Sequence, residues 1–120
     1  MPTIALLGTG LLGEAIGRRL LEQGVTLKVW NRTAAKCQPL VEQGAVLIEN
    51  LAGAAKGCHA VITVLRDGPV SAEVIAELGD LDAVCCLPMG TMGISESRQL
   101  ELQVQAQQGA YLEAPVLGSK

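Results

Sequence analysis

Residues 8–13 read GTGLLG, which sets Gly8, Gly10 and Gly13 in a G-x-G-x-x-G spacing between an apolar run and a helical one. At the end of a strand this spacing can cradle a pyrophosphate. The first glycine makes the tight turn, the second leaves room for phosphate against the backbone, and the third lets helix and strand approach closely. The helix behind the turn offers free N–H groups and a partial positive charge to an anion. Gly8, Thr9, Gly10, Leu11, Leu12 and Gly13 are therefore candidate dinucleotide-binding residues. The rival reading is a glycine turn that only packs tightly.

A second cluster follows the next strand-like run, in VWNRTAAK. An Asp or Glu at this place would accept hydrogen bonds from the adenosine ribose hydroxyls and repel a 2′-phosphate. Asn31 stands there instead. Arg32 carries a planar fork of donors suited to a phosphate, and Thr33 and Lys36 add a hydroxyl and a charge. The pattern favours NADP over NAD. The plainer alternative has Thr33 capping a helix while Arg32 and Lys36 are solvated, and the two roles can coexist.

These residues need a scaffold that brings strand ends together. The strand candidates are Thr3 to Leu7, Val25 to Trp30, Ala45 to Ile48, Ala60 to Leu65, Ala83 to Leu87 and Ala110 to Leu112. Several are almost wholly apolar, as parallel strands covered on both faces require. Helix-like segments lie between them, at Leu11 to Gln23, Ala34 to Gln43, Leu51 to Lys56, Val70 to Leu78 and Ser95 to Gln108. In the first, Leu12, Ile16 and Leu20 recur every four residues. Pro39 removes a backbone donor and should weaken or kink the second. Gly24, Gly44 and Gly109 each follow a glutamine and precede an apolar run, so each is expected to close a helix in the left-handed conformation. The alternation predicts an α/β fold: a Rossmann-type doubly wound parallel sheet of about six strands in the order 3-2-1-4-5-6, forming one dinucleotide-binding domain over residues 1–120.

Composition removes several other classes. With 49% hydrophobic and 18% charged residues, the 120-residue chain should fold around a real core. Nine Lys and Arg against twelve Asp and Glu, without a basic block, argue against nucleic acid as a partner. No apolar run approaches the roughly 20 residues of a membrane span and no signal-peptide pattern opens the chain, so a cytoplasmic location is expected by default. The cysteines Cys37, Cys58, Cys85 and Cys86 form no C-x-x-C pair, and His59 is the only histidine, so reduced thiols and no metal are expected.

In order and spacing, GTGLLG, VWNRT with Lys36, VITVLRDGPV, MGTMGISES and YLEAPVLGS resemble the NADP-binding domain of the β-hydroxyacid dehydrogenases, along essentially the whole chain. That family includes 3-hydroxyisobutyrate dehydrogenase, the glyoxylate and succinic semialdehyde reductases and, more distantly, 6-phosphogluconate dehydrogenase and imine reductases. The resemblance implies hydride transfer between a nicotinamide cofactor and a small hydroxy acid, aldehyde or keto acid. It implies that the Gly8 to Gly13 loop holds pyrophosphate and that Asn31, Arg32 and Thr33 surround the ribose phosphate. Leu65, Arg66 and Val70 would then line the cofactor groove, with Thr91 near the nicotinamide. The EAPVLGS segment matches the family's DAPVSGG loop, which holds the substrate carboxylate. Leu117 takes the serine position there, leaving backbone donors at Gly118 and Ser119.

The family's proton-donating Lys belongs to an all-helical domain beyond Lys120, so the resemblance implies no catalytic residue within these 120 positions and little turnover by the isolated chain. Family dimers form largely through that domain, which leaves a homodimer open. Two alternatives stand beside the reductase reading. One is a non-catalytic NADP-binding sensor or assembly module; the other is an imine reductase domain, where an apolar Leu117 is easier to accommodate.

Overall fold

In the computed structural model the described residues are 2–65, 68–81, 83–89 and 94–111. Six parallel strands form one sheet: β1 (Thr3–Leu7), β2 (Thr26–Trp30), β3 (Val46–Leu47), β4 (Ala60–Thr63), β5 (Cys85–Pro88) and β6 (Ala110–Tyr111). Their order is β3-β2-β1-β4-β5-β6, the doubly wound arrangement expected from the sequence. The helices are α1 (Leu11–Glu22), α2 (Gln38–Val41), α3 (Gly68–Leu78) and α4 (Ile94–Ala106), with a 3-10 turn over Ala34–Cys37 before α2. β1 pairs with β2 from Thr3 against Thr26 to Leu7 against Trp30, and with β4 from Ile4 against Ala60 to Leu7 against Thr63.

Alternation along the central strands sends side chains into two cores. Ala5 and Leu7 of β1, Val61 of β4 and Cys86 of β5 join Val74, Ile75, Leu78, Leu100 and Val104 beneath α3 and α4. Leu6, Leu27, Val29 and Ile62 face the other way, onto Leu40 and the partly buried Ile16 and Leu20 of α1. Gly17 of α1 allows this second contact. A Cβ there would lie 2.7 Å from Leu40 Cδ1 and 3.1 Å from Leu6 Cδ2, closer than carbon atoms pack.

The structure corrects the sequence expectations at three places. Residues 51–56 form successive turns rather than a helix, because Gly53 and Gly57 adopt φ of +77° and +79°. Their bonds run three residues back, Ala54 N–H to Leu51 C=O and Lys56 N–H to Gly53 C=O, and Lys28 Nζ donates to the Ala54 carbonyl at 2.7 Å. The segment 34–43 divides between Cys37 and Gln38 into the 3-10 turn and a short α2 with Pro39 in its first turn, where the missing donor is tolerated. Gly24 and Gly44 do have positive φ, but at the third junction Gln108 takes the left-handed conformation, with φ of 70°. Gly109 serves packing instead: a Cβ there would sit 2.6 Å from Leu81 Cδ1.

The four cysteines are free, and three are buried. Burial pushes the Cys86 thiol up to about 12, with the neighbouring Cys85 adding to the rise, and also raises Cys37 against the opposing effect of its contact with Thr9. Both therefore stay protonated at neutral pH. His59 Nδ1 accepts the Thr3 N–H at 3.0 Å, which ties β1 to the approach to β4. Among the described residues no group of His, Cys, Asp and Glu could hold a metal, and no helix is long and apolar enough to cross a membrane.

Candidate cofactor-binding site

The strand order reverses between β1 and β4, where a crevice opens beyond the strands' carboxyl ends. β1 ends at Leu7 and the chain turns at Gly8, whose φ is 110° and whose N–H donates to the Trp30 carbonyl at the end of β2 (2.7 Å). A side chain at Gly8 would collide with the Val64 carbonyl, and one at Gly13 with the Gly8 carbonyl. Those two glycines are required by the fold itself. Gly10 differs: its backbone is extended, and a Cβ there would meet nothing within 4 Å. The second glycine of the motif therefore borders open space.

Gly10 is also the N-cap of α1 and supplies no side-chain cap. The Glu14 N–H bonds back to the Gly10 carbonyl at 2.8 Å, so helix geometry leaves the N–H groups of the preceding turn without intrahelical acceptors. Glu14 is the acidic residue of this first turn, and Arg18 binds its carboxylate through Nη2 at 2.7 Å and Nε at 3.1 Å. This pairing offsets a charge that would otherwise oppose an arriving anion. Leu11 is 94% exposed beside the opening, and Leu12 is also exposed.

Thr9 and Asn31 hold the loop rather than reaching outward. The Asn31 amide oxygen accepts the Thr9 N–H at 2.9 Å, while its nitrogen donates to the Thr33 carbonyl at 3.1 Å. Thr9, only 3% exposed, donates its hydroxyl to the Lys36 carbonyl at 3.0 Å. An asparagine after β2 can thus brace the glycine turn, because it carries an acceptor and a donor on one short side chain. Thr33 occupies the N-cap position of the 3-10 turn but makes no side-chain cap bond, contrary to the capping alternative. Arg32, Thr33 and Lys36 are all exposed.

Trp30, Asn31, Arg32, Leu65 and Val70 line a cleft of about 200 Å³ between the ends of β2 and β4 and the first turn of α3. Four of these residues are among those singled out in the sequence. The chain's one tryptophan was not, although its place immediately before Asn31 puts it at the same strand end. Glu73 was also missed: its carboxylate lies 3.7 Å from Arg32 Nη2. Its only sequence signal is helical spacing from Val70, which puts both residues on one side of α3. A larger cleft of about 390 Å³, lined by Ala15, Ile16, Arg19 and Leu20, lies along α1 and includes no glycine turn or strand end. Arg66, Thr91, Leu117, Gly118 and Ser119 lie outside the described residues.

Residues 3–120 match the NAD binding domain of 6-phosphogluconate dehydrogenase. The chain belongs to this family. It is 34% identical to glyoxylate/succinic semialdehyde reductase 1 of Arabidopsis thaliana, over 98% of this chain and 42% of the reductase. It is 32% identical to the human cytokine-like nuclear factor N-PAC, again over 98% of this chain but 22% of that protein. A reductive aminase from Aspergillus terreus, solved with NADPH and ethyl levulinate, superposes with a TM-score of 0.90 at 30% identity, covering 99% of this chain and 42% of the aminase. The chain thus spans less than half the length of these relatives. Its family and the glycine turn at the sheet's switch point identify it as an NAD(P)-binding domain of the kind found in β-hydroxyacid dehydrogenase-like oxidoreductases.

Proposed function

We propose that this domain binds NADP(H) in preference to NAD(H) and presents it for reduction of a small carbonyl or imine compound. The observation that carries the preference is the exposed trio Arg32, Thr33 and Lys36 beside the cleft, where no carboxylate directly follows β2. The adenine would lie in the slot formed by Trp30, Leu65 and Val70, whose apolar surfaces suit a flat base. The pyrophosphate would rest on the N–H groups at the start of α1, against Gly10 and beside Leu11 and Leu12. The bound nicotinamide supplies the hydride. The chain's own residues hold the adenosine and phosphates, fixing how the reactive ring faces an acceptor.

By family resemblance, Arg66 would complete the groove and Thr91 would lie near the nicotinamide. Leu117, Gly118 and Ser119 would meet the substrate, with Leu117 better suited to an imine or other partner lacking a carboxylate. A second reading, a nucleotide-binding module without catalysis, is supported by the likeness to N-PAC, whose name describes a nuclear factor. Both readings require the same adenosine site.

Titration calorimetry with NADPH and NADH, on wild type and Arg32→Ala, tests the preference. One charge-assisted contact to the 2′-phosphate should favour NADPH by about ten- to a hundredfold, and Arg32→Ala should remove most of that difference. Equal affinities in the wild type would overturn the NADP assignment.

A further inference from the structure

Arg32 does not stand alone at the mouth of the cleft. Its guanidinium is paired with Glu73, reaching from the loop after β2 to α3, at 3.7 Å between Nη2 and Oε1. The two side chains are 69% and 70% exposed, so the contact is in water and easily exchanged. Val70 lines the cleft from the first turn of α3, and Glu73 follows it by three residues on the same side of that helix. The carboxylate therefore sits where the loop after β2 and α3 come together beside the slot.

We infer that Glu73 is a specificity-determining residue, holding Arg32 as an internal anion that a nucleotide 2′-phosphate must displace. This inference rests on the cofactor reading above. A ligand carrying that phosphate offers Arg32 a doubly charged, forked acceptor in place of one carboxylate oxygen. Arg32 exchanges partners while Glu73 keeps its charge nearby, and the repulsion lowers the gain. A ligand with a bare ribose offers Arg32 no such exchange, so the Arg32–Glu73 pair persists. Glu73 thus narrows the difference between the two cofactors without touching the adenine or pyrophosphate positions. An acid that stands far along the sequence from Asn31 does part of the work that an acid directly after β2 would do.

The test uses adenosine fragments, 2′,5′-ADP and 5′-AMP, titrated into wild type, Glu73→Gln, Arg32→Ala and the double variant. Because Glu73 is exposed, Glu73→Gln should leave the unfolding temperature unchanged. It should tighten 2′,5′-ADP about two- to fivefold at low salt, leave 5′-AMP within measurement error, and lose its effect in high salt. In the Arg32→Ala background the same substitution should have a smaller effect, since only direct repulsion remains. If Arg32→Ala weakens 2′,5′-ADP but Glu73→Gln does not tighten it, or shifts both fragments equally, the inference fails while the cofactor reading stands. If neither fragment binds wild type, the cofactor reading fails and the inference falls with it.

Discussion

At the start of α1 the backbone donors of the first turn meet no side-chain cap, and the space beside Gly10 is open. At the other end of the sheet, α4 and the turn after it send two glutamines across to α3 and the residue that follows it. Gln103 Nε2 donates to the Ala72 carbonyl at 2.8 Å, and Gln107 Nε2 donates to those of Ile75 and Gly79 at 2.9 and 2.7 Å. The carbonyls of Ala72, Ile75 and Gly79 thus find side-chain donors within the fold, while the start of α1 has no side-chain cap. Both regions pack against buried apolar clusters. Core burial therefore does not distinguish the two regions, whereas the disposition of backbone polar groups does.

Gly13→Ala should have the largest effect on stability. Its Cβ would collide with the backbone carbonyl of Gly8, which cannot rotate away as a side chain can. A loss of about 3 kcal/mol is expected despite the better helix propensity of alanine, measured by urea unfolding. An unfolding free energy equal to wild type would mean that the turn is looser than the geometry requires. Gln107→Ala probes the opposite region. Two carbonyls lose their donor, costing about 1 to 3 kcal/mol without any change in nucleotide affinity. A parallel loss of cofactor binding would break the division between the two regions.

A smaller effect, of opposite sign, is expected at Ala83, which precedes β5 with φ of 66°. Its N–H donates to the Gln108 carbonyl at 2.7 Å, so the strained backbone is held in place by the turn opposite. Ala83→Gly should raise stability by about 0.5 to 1 kcal/mol, the steric relief exceeding the added chain entropy. Thermal unfolding would show it as a midpoint a few degrees higher; a lower midpoint would contradict the strain.

The sheet order was legible because apolar strands alternate with helical segments, and Gly24 and Gly44 punctuate the first two junctions. The glycine turn was legible because its three positions have separable physical demands, two for packing and one for open space. Local pattern misled at residues 51–56, where helix-forming residues surround glycines that take positive φ. It also misled at Gly109, since Leu81 packs against that position and the left-handed turn moves to Gln108. Asn31 directly follows β2, as the strand pattern indicated, but its bonds to Thr9 and Thr33 depend on loop geometry that spacing does not carry. The Arg32–Glu73 pair was hidden for a related reason, because only the approach of α3 to the loop after β2 brings the two charges together.

Replacing Gly10 tests most directly whether the open turn is a cofactor site. Gly10→Val introduces a side chain where the fold leaves room and the backbone is already extended, so stability should change by no more than about 1 kcal/mol. The same side chain would occupy the space in which pyrophosphate must approach the helix N-terminus. Calorimetric titration with NADPH should show clear binding to wild type and a loss of at least about a hundredfold in a folded Gly10→Val, roughly 2.7 kcal/mol. Wild-type affinity in that folded variant would show that the glycines serve the turn alone.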